Sequence, residues 1–171
     1  WERAAPFTSF VQQVPNPGAP ATDRTDVRVL FDDEALYIGV RAFQSGVPVI
    51  ANELRRDNGR LHVRNDTFTV ALDTFQDGRN GYIFIFNPLG AIADWATWDE
   101  GRVFLQEWDT VWDVRTSIQE WGWSAEMRLP VCQQSRHVVS RRQEGRQDTG
   151  HGRRQLTDLL GKSNDGNTVT L

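Results

Sequence analysis

The residues with the most chemical potential in this sequence are tryptophans set beside planar polar groups. Trp95 and Trp98 stand three apart in ADWATWDEG, Trp108 and Trp112 four apart in EWDTVWD, and Trp121 and Trp123 flank Gly122. Arg79 and Asn80 follow an Asp77-Gly78 turn signal, and Asn87 closes the apolar run GYIFIFN. An indole face stacks on flat apolar surface, while guanidinium and amide groups make paired, directional hydrogen bonds. That is recognition chemistry, and it breaks no bond. Ordinary roles compete with it, because tryptophan is mostly buried in folded domains and Asn-Gly and Asn-Pro are common turn formers. Trp112 and Trp123 read as core on that ground. Trp95, Trp98, Trp108, Trp121, Arg79, Asn80 and Asn87 stand as the candidate binding residues.

Catalytic and metal-binding patterns are weaker. No G-x-S-x-G, H-E-x-x-H or phosphate loop occurs. Glycoside cleavage needs two carboxylates about 5–10 Å apart, and among 23 acidic residues some pair meets that by chance. The expectation is a non-catalytic chain. Calcium takes six to eight oxygen ligands, and Asp32, Asp33, Glu34, Asp66, Asp73 and Asp94 offer carboxylates, but no D-x-D-x-D loop gathers them. His62, His137 and His151 share no metal-binding spacing. No cofactor is read from these residues, and the metal ligands are left unassigned.

The elements that must position the candidates read as strands. Segments 25–31 and 35–42 are β-branched and aromatic runs separated by Asp32, Asp33 and Glu34, the pattern of an antiparallel hairpin. Segment 67–73 alternates Phe68, Val70 and Leu72 against Thr67, Thr69 and Ala71, the period of two of a half-buried strand. Segment 81–87 is apolar on both faces, and 91–97, 111–119 and 123–129 complete a set of about seven strands, as in an all-β sandwich. A further short strand is expected near 50–54. Residues 1–23, with Pro6, Pro15, Pro17 and Pro20, read as an extended strap over a sheet.

Charge and composition divide the chain near residue 130. Residues 1–131 carry 12 arginines against 19 acidic residues, a net −7, while 132–171 carry 7 basic and 4 acidic residues, a net +3. An acidic body argues against nucleic acid, which needs a basic face to neutralise phosphate. The stretch 132–171 has no Phe, Trp or Tyr, too little apolar surface to offset the entropy of ordering. The division is therefore a β-sandwich over 1–130 and a weakly ordered basic tail over 131–171. Cys132 is alone, which excludes an intramolecular disulfide. No run of about 18 apolar residues exists to insert in a membrane as a helix. Because it starts at Trp1 rather than Met, the chain reads as processed or trimmed, which leaves room for an export signal before it.

Taken together, ATDRTDVRVLFDDEALYIGVRAF, NDTFTVALDTFQDGRNGYIFIFNPLGAIAD and EWDTVWDVRTSIQEWGWSAEMRLP resemble the family 9 carbohydrate-binding-module-like domain at the N-terminus of large secreted or outer-membrane bacterial proteins. The likeness runs from about Trp1 to Pro130 and lies in order and spacing: Asp32-Asp33, then Asp73-Thr74-Phe75 with Arg79-Asn80-Gly81-Tyr82, then Asn87-Pro88-Leu89-Gly90, then Trp108-Asp109 with Trp112-Asp113. Two departures stand out. The acidic-Gly segment that usually precedes the first Trp is missing, and after Leu129-Pro130 the expected further aromatic strand does not follow.

The resemblance implies a jelly-roll-like β-sandwich that binds an oligo- or polysaccharide, sometimes carries structural calcium, and is joined to a catalytic or barrel domain in a secreted, periplasmic or outer-membrane parent. On that reading the candidate rings stack on the C–H face of a sugar and the candidate polar groups take its hydroxyls. Two other expectations stay open: a structural or interaction sandwich of a cell-envelope protein with no ligand, and a part of a glycoside hydrolase in carbohydrate catabolism.

Overall fold

A computed structural model describes residues 1–131 and the backbone of 168–170. It is all-β, with two sheets face to face, as the alternation in the sequence requires. The strands are β1 (Thr25–Phe31), β2 (Ala35–Phe43), β3 (Phe68–Leu72), β4 (Gly81–Phe86), β5 (Ile92–Trp98), β6 (Val103–Leu105), β7 (Asp113–Gln119), β8 (Gly122–Pro130) and β9 (Thr168–Thr170). One sheet runs β1-β2-β8-β7 and the other β6-β5-β4-β3-β9. Every strand pair is antiparallel except β3 with β9, which is parallel. No helix among the described residues is long and apolar enough to cross a membrane.

The inward residues of each strand meet between the sheets. Val27, Ile38, Val40, Trp123, Ala125 and Met127 from one sheet close on Phe68, Val70, Phe84 and Phe86 from the other, with Trp112 between them. Edge-to-face ring contacts run from Phe84 to Trp112 at 5.3 Å and from Phe86 to Trp123 at 6.1 Å. Each such pair contributes about 0.5–1.5 kcal/mol beyond the area it buries. β4 is apolar on both faces because it has two covers. Phe84 and Phe86 face the opposite sheet, while Ile83 and Ile85 join Leu61, Ala91, Ala93 and Trp95 in a second cluster beneath the loop that carries a 3-10 turn, Leu61–Val63.

At Phe7 the proline-rich segment pairs along the edge of a sheet rather than lying over it. Phe7 and Val27 exchange backbone hydrogen bonds of 2.7 and 2.9 Å, so β1 is not left open along its whole length. Other expectations need correction. Residues 50–54 form no strand, because side chains take up the backbone donors that a ladder would use. Ile50 N–H donates to Asp66 at 2.8 Å, Asn52 N–H to Asn65 at 2.6 Å, and Leu54 N–H to Glu53 at 3.0 Å. β6 was not foreseen, and β7 starts at Asp113 rather than 111. The expected weakly ordered tail over 131–171 falls outside the described residues apart from Val131 and β9, and Cys132, His137 and His151 fall outside with it.

Candidate functional site

The outward residues of the four-stranded sheet fall in straight rows across its strands. Register sets Arg28, Gly39, Glu126 and Arg115 in one row, and Asp26, Arg41, Ser124 and Ser117 in the next. A further step of two residues reaches Phe43, paired with Gly122. In these two rows every outward position but Gly39 is polar, while the alternate residues, such as Val27 and Val40, are committed to the core. The face is therefore a lattice of arginines, carboxylates and hydroxyls, with one gap at Gly39.

That gap is filled by Trp1. A Cβ on Gly39 would lie 3.0–3.1 Å from three consecutive ring atoms of the indole, Cδ2, Cε3 and Cζ3. Near-equal distances to three ring atoms mean that the ring lays its face on the glycine. The indole N–H donates to Glu126 Oε1 at 2.6 Å, the Trp1 carbonyl accepts from Ala4 N–H at 3.1 Å, and Ala4 in turn accepts from Arg28 Nε at 3.2 Å. The ring is thus held by its face and by its N–H while the backbone behind it is tied to Arg28, yet the residue keeps 37% of its surface in solvent. It forms part of the wall of a groove of about 320 Å³ lined also by Asp26, Arg28, Arg41, Arg115, Ser117, Ser124 and Glu126.

Trp121 stands on the same face, two rows from Gly39 along β2. It occupies the two-residue turn between β7 and β8, where Gln119 pairs with Gly122. Gly122 has φ of 134°, and a Cβ there would meet the Ala42 carbonyl oxygen at 2.2 Å, so the turn admits only glycine. The Trp121 ring leans on Phe43 at 4.9 Å, and the Arg24 guanidinium lies 5.5 Å from the Phe43 centroid. Arg24 also grips Asp26 in a bidentate pair at 2.6 and 2.8 Å. Trp121 is 36% exposed. By strand rise, the two aromatic positions are roughly 13 Å apart.

The other sequence-read candidates lie elsewhere. Trp98, 41% exposed, ends β5 on the opposite sheet beside Val103 of β6. Arg79 shares its tight-turn region, with its guanidinium drawn onto Asp99 at 3.1 Å. Asn80 donates its amide to Asp77, and the backbone N–H groups of Arg79, then Asn80, hold the Asp77 carboxyl below its ordinary range. Trp108 is half-buried, stacked on Tyr82 at 4.5 Å and edge-on to Phe84.

Two candidates must be set aside as contacts. Trp95 is buried in the second core cluster, between His62 and Phe104. Asn87 has no exposed surface: its Oδ1 accepts from Leu89 and Ala91 N–H at 3.0 and 2.9 Å, and its Nδ2 donates to the Glu53 carbonyl at 2.8 Å. Its amide is consumed in holding two loops together. Trp1, Arg28, Arg41, Arg115 and Glu126 were not singled out from the sequence. The outward alternation of β1, β2, β7 and β8 was legible there, but the register that aligns them was not.

Among the described residues, most of the acidic side chains singled out from the sequence are drawn into separate hydrogen bonds rather than gathered around one point. Asp32 accepts from Glu34 and Ala35 N–H and Asp73 from Asp77 and Gly78 N–H, each within its own turn, while Asp66 accepts from Gln44 Nε2 and Ile50 N–H, 22 and 16 residues earlier in the chain. The one cluster with carboxylate oxygens within 4.8 Å of one another is Asp57, Asp94 and Asp109, among the described residues. Arg56 bonds all three, at 3.0 Å to Asp57, 2.9 Å to Asp94, and to Asp109. A guanidinium stands where a cation would. Asp94 is fully buried and also accepts from Thr110 N–H and Trp112 Nε1, yet burial still pushes its carboxyl above the ordinary range.

No protein-family model, curated protein or solved structure matches the chain. The functional reading rests on the groove and the motifs.

Proposed function

We propose that the domain is a non-catalytic carbohydrate-binding module whose site is the groove on the outer face of the four-stranded sheet. The observation that carries this reading is the Trp1 indole, laid on Gly39 and partly open to solvent within a lattice of arginine, carboxylate and hydroxyl groups. A pyranose offers an apolar C–H face and a rim of hydroxyls, and the groove offers the complement of both. Trp121 extends the aromatic surface along the same face. The groove's two carboxylates are already engaged, Asp26 by Arg24 and Glu126 by the indole N–H, which suits binding rather than proton transfer.

The resemblance of residues 1–130 to the family 9 binding type supports the same reading. In that setting the module belongs to a secreted, periplasmic or outer-membrane parent and raises the local concentration of an attached catalytic or barrel domain on its polymer. The test is a titration followed by tryptophan emission. The panel pairs neutral xylan, cellulose and glucan oligomers with acidic galacturonate, alginate and glucuronoxylan oligomers. Saturable quenching by at least one saccharide, lost in Trp1→Ala, is expected. A flat response to all of them would remove the proposal.

A second reading has one observation of its own. β6 lies at the edge of the five-stranded sheet and exposes Val103, Phe104 and Leu105 beside Trp98, an apolar edge suited to a protein contact. A sandwich that only packs on a neighbouring domain predicts no saccharide response, and docking that Phe104→Lys weakens.

A further inference from the structure

We infer that the groove selects acidic saccharides, chains that carry carboxylates on their sugar units, over neutral ones. This rests on the groove being the saccharide site. Three arginines and two carboxylates line it, so its lining is net positive. Asp26 is held by both arms of Arg24, and Glu126 by the indole of Trp1. Arg28 is turned onto the Ala4 carbonyl. Arg41 and Arg115, by contrast, have no ion-pair or hydrogen-bond partner among the described residues, and both line the groove.

A guanidinium with its donors free meets a carboxylate in two parallel hydrogen bonds, stronger than the bonds it makes to a hydroxyl. Arg41 on β2 and Arg115 on β7 are two strands and one row apart, about 12 Å between backbone positions by strand spacing and rise. That separation suits acidic groups on different sugar units of one chain. The acidic body of the domain repels polyanions at long range, so the preference must come from these local contacts.

The experiment measures affinity for matched pairs: galacturonate, alginate and glucuronoxylan oligomers, each against its carboxyl-reduced neutral counterpart. The acidic member of at least one pair is expected to bind at least tenfold more tightly, with affinity falling as salt rises from 20 to about 300 mM, where screening shortens the reach of exposed charges. Arg41→Gln/Arg115→Gln should abolish that discrimination, bringing the affinity for the acidic member down to that for its neutral counterpart in the same variant. Equal binding of both members in every pair that binds would overturn the acidic preference and leave the saccharide site standing. No binding by either member of any pair would overturn both. The wild-type comparison reads out without the variant, so a folding defect in the double substitution does not decide the result.

Discussion

The face of the Trp1 indole rests on Gly39, with the indole N–H fixed on Glu126 at 2.6 Å. Glycine is a poor strand residue, less favourable than alanine by about 0.5–1 kcal/mol in a strand interior. Its presence in the middle of β2 is explained by the ring above it.

Gly39→Val therefore separates stability from binding. Valine suits a strand, and the substitution should leave the thermal midpoint within a few degrees of wild type or above it. Its methyl groups must displace the indole. Iodide quenching of tryptophan should increase, and saccharide affinity should fall at least tenfold, the equivalent of about 1.4 kcal/mol. Unchanged affinity with a displaced ring would show that Trp1 is no part of the site.

The two most exposed sequence-read tryptophans sit on opposite sheets and should behave differently. Removing a stacked ring costs about 0.5–1.5 kcal/mol, so Trp121→Ala should weaken saccharide binding about two- to tenfold. Trp98→Ala should leave it unchanged. Isothermal titration of both variants with one ligand makes the comparison, and equal losses would place the ligand outside the groove.

Asn87→Ala should act on the fold alone. It strips the acceptor from Leu89 and Ala91 N–H and the donor from the Glu53 carbonyl. Leaving buried groups unpaired costs about 1–3 kcal/mol, which lowers the thermal midpoint of a domain of this size by roughly 4–10 °C. Saccharide affinity measured well below that midpoint should match wild type.

Acid should weaken the domain through Glu53. Its carboxylate accepts from the Arg55 side chain and N–H, from Asn58, and from Leu54 N–H, and these bonds, led by Arg55, hold it well below the usual carboxylate range. A group whose folded pKa is depressed contributes stability above its unfolded value, about 4.3 for Glu, and loses it as the pH falls toward the folded one. Asp32 and Asp77, held low by turn N–H groups, act in the same sense. The midpoint of wild type should thus exceed that of Glu53→Gln at pH 7, and the gap should narrow by pH 3. A constant gap would mean that Glu53 contributes through shape rather than charge.

Much of this architecture was legible in residue order. The alternation of Phe68, Val70 and Leu72 against Thr67, Thr69 and Ala71 specified a half-buried strand, since side chains on a strand must point to opposite faces. Trp112 and Trp123 were readable as core. Asn87 misled because an asparagine before a proline has the same local signature whether its amide meets solvent or clamps a second loop, and the Glu53 carbonyl that decides the matter lies 34 residues away. Trp95 misled for a similar reason: its strand is covered on both sides, by the opposite sheet and by the loop that carries Leu61.

The sequence by itself determined the period-two strands, the turns, the absence of familiar catalytic motifs and the acidic body that disfavours nucleic acid, because each depends on neighbouring residues or on a sum over the chain. Only the tertiary structure decided which outward residues share a surface. Trp1 with Gly39 and Glu126, and Arg41 with Arg115, are brought together by strand register, and register is set by packing between segments far apart in the chain.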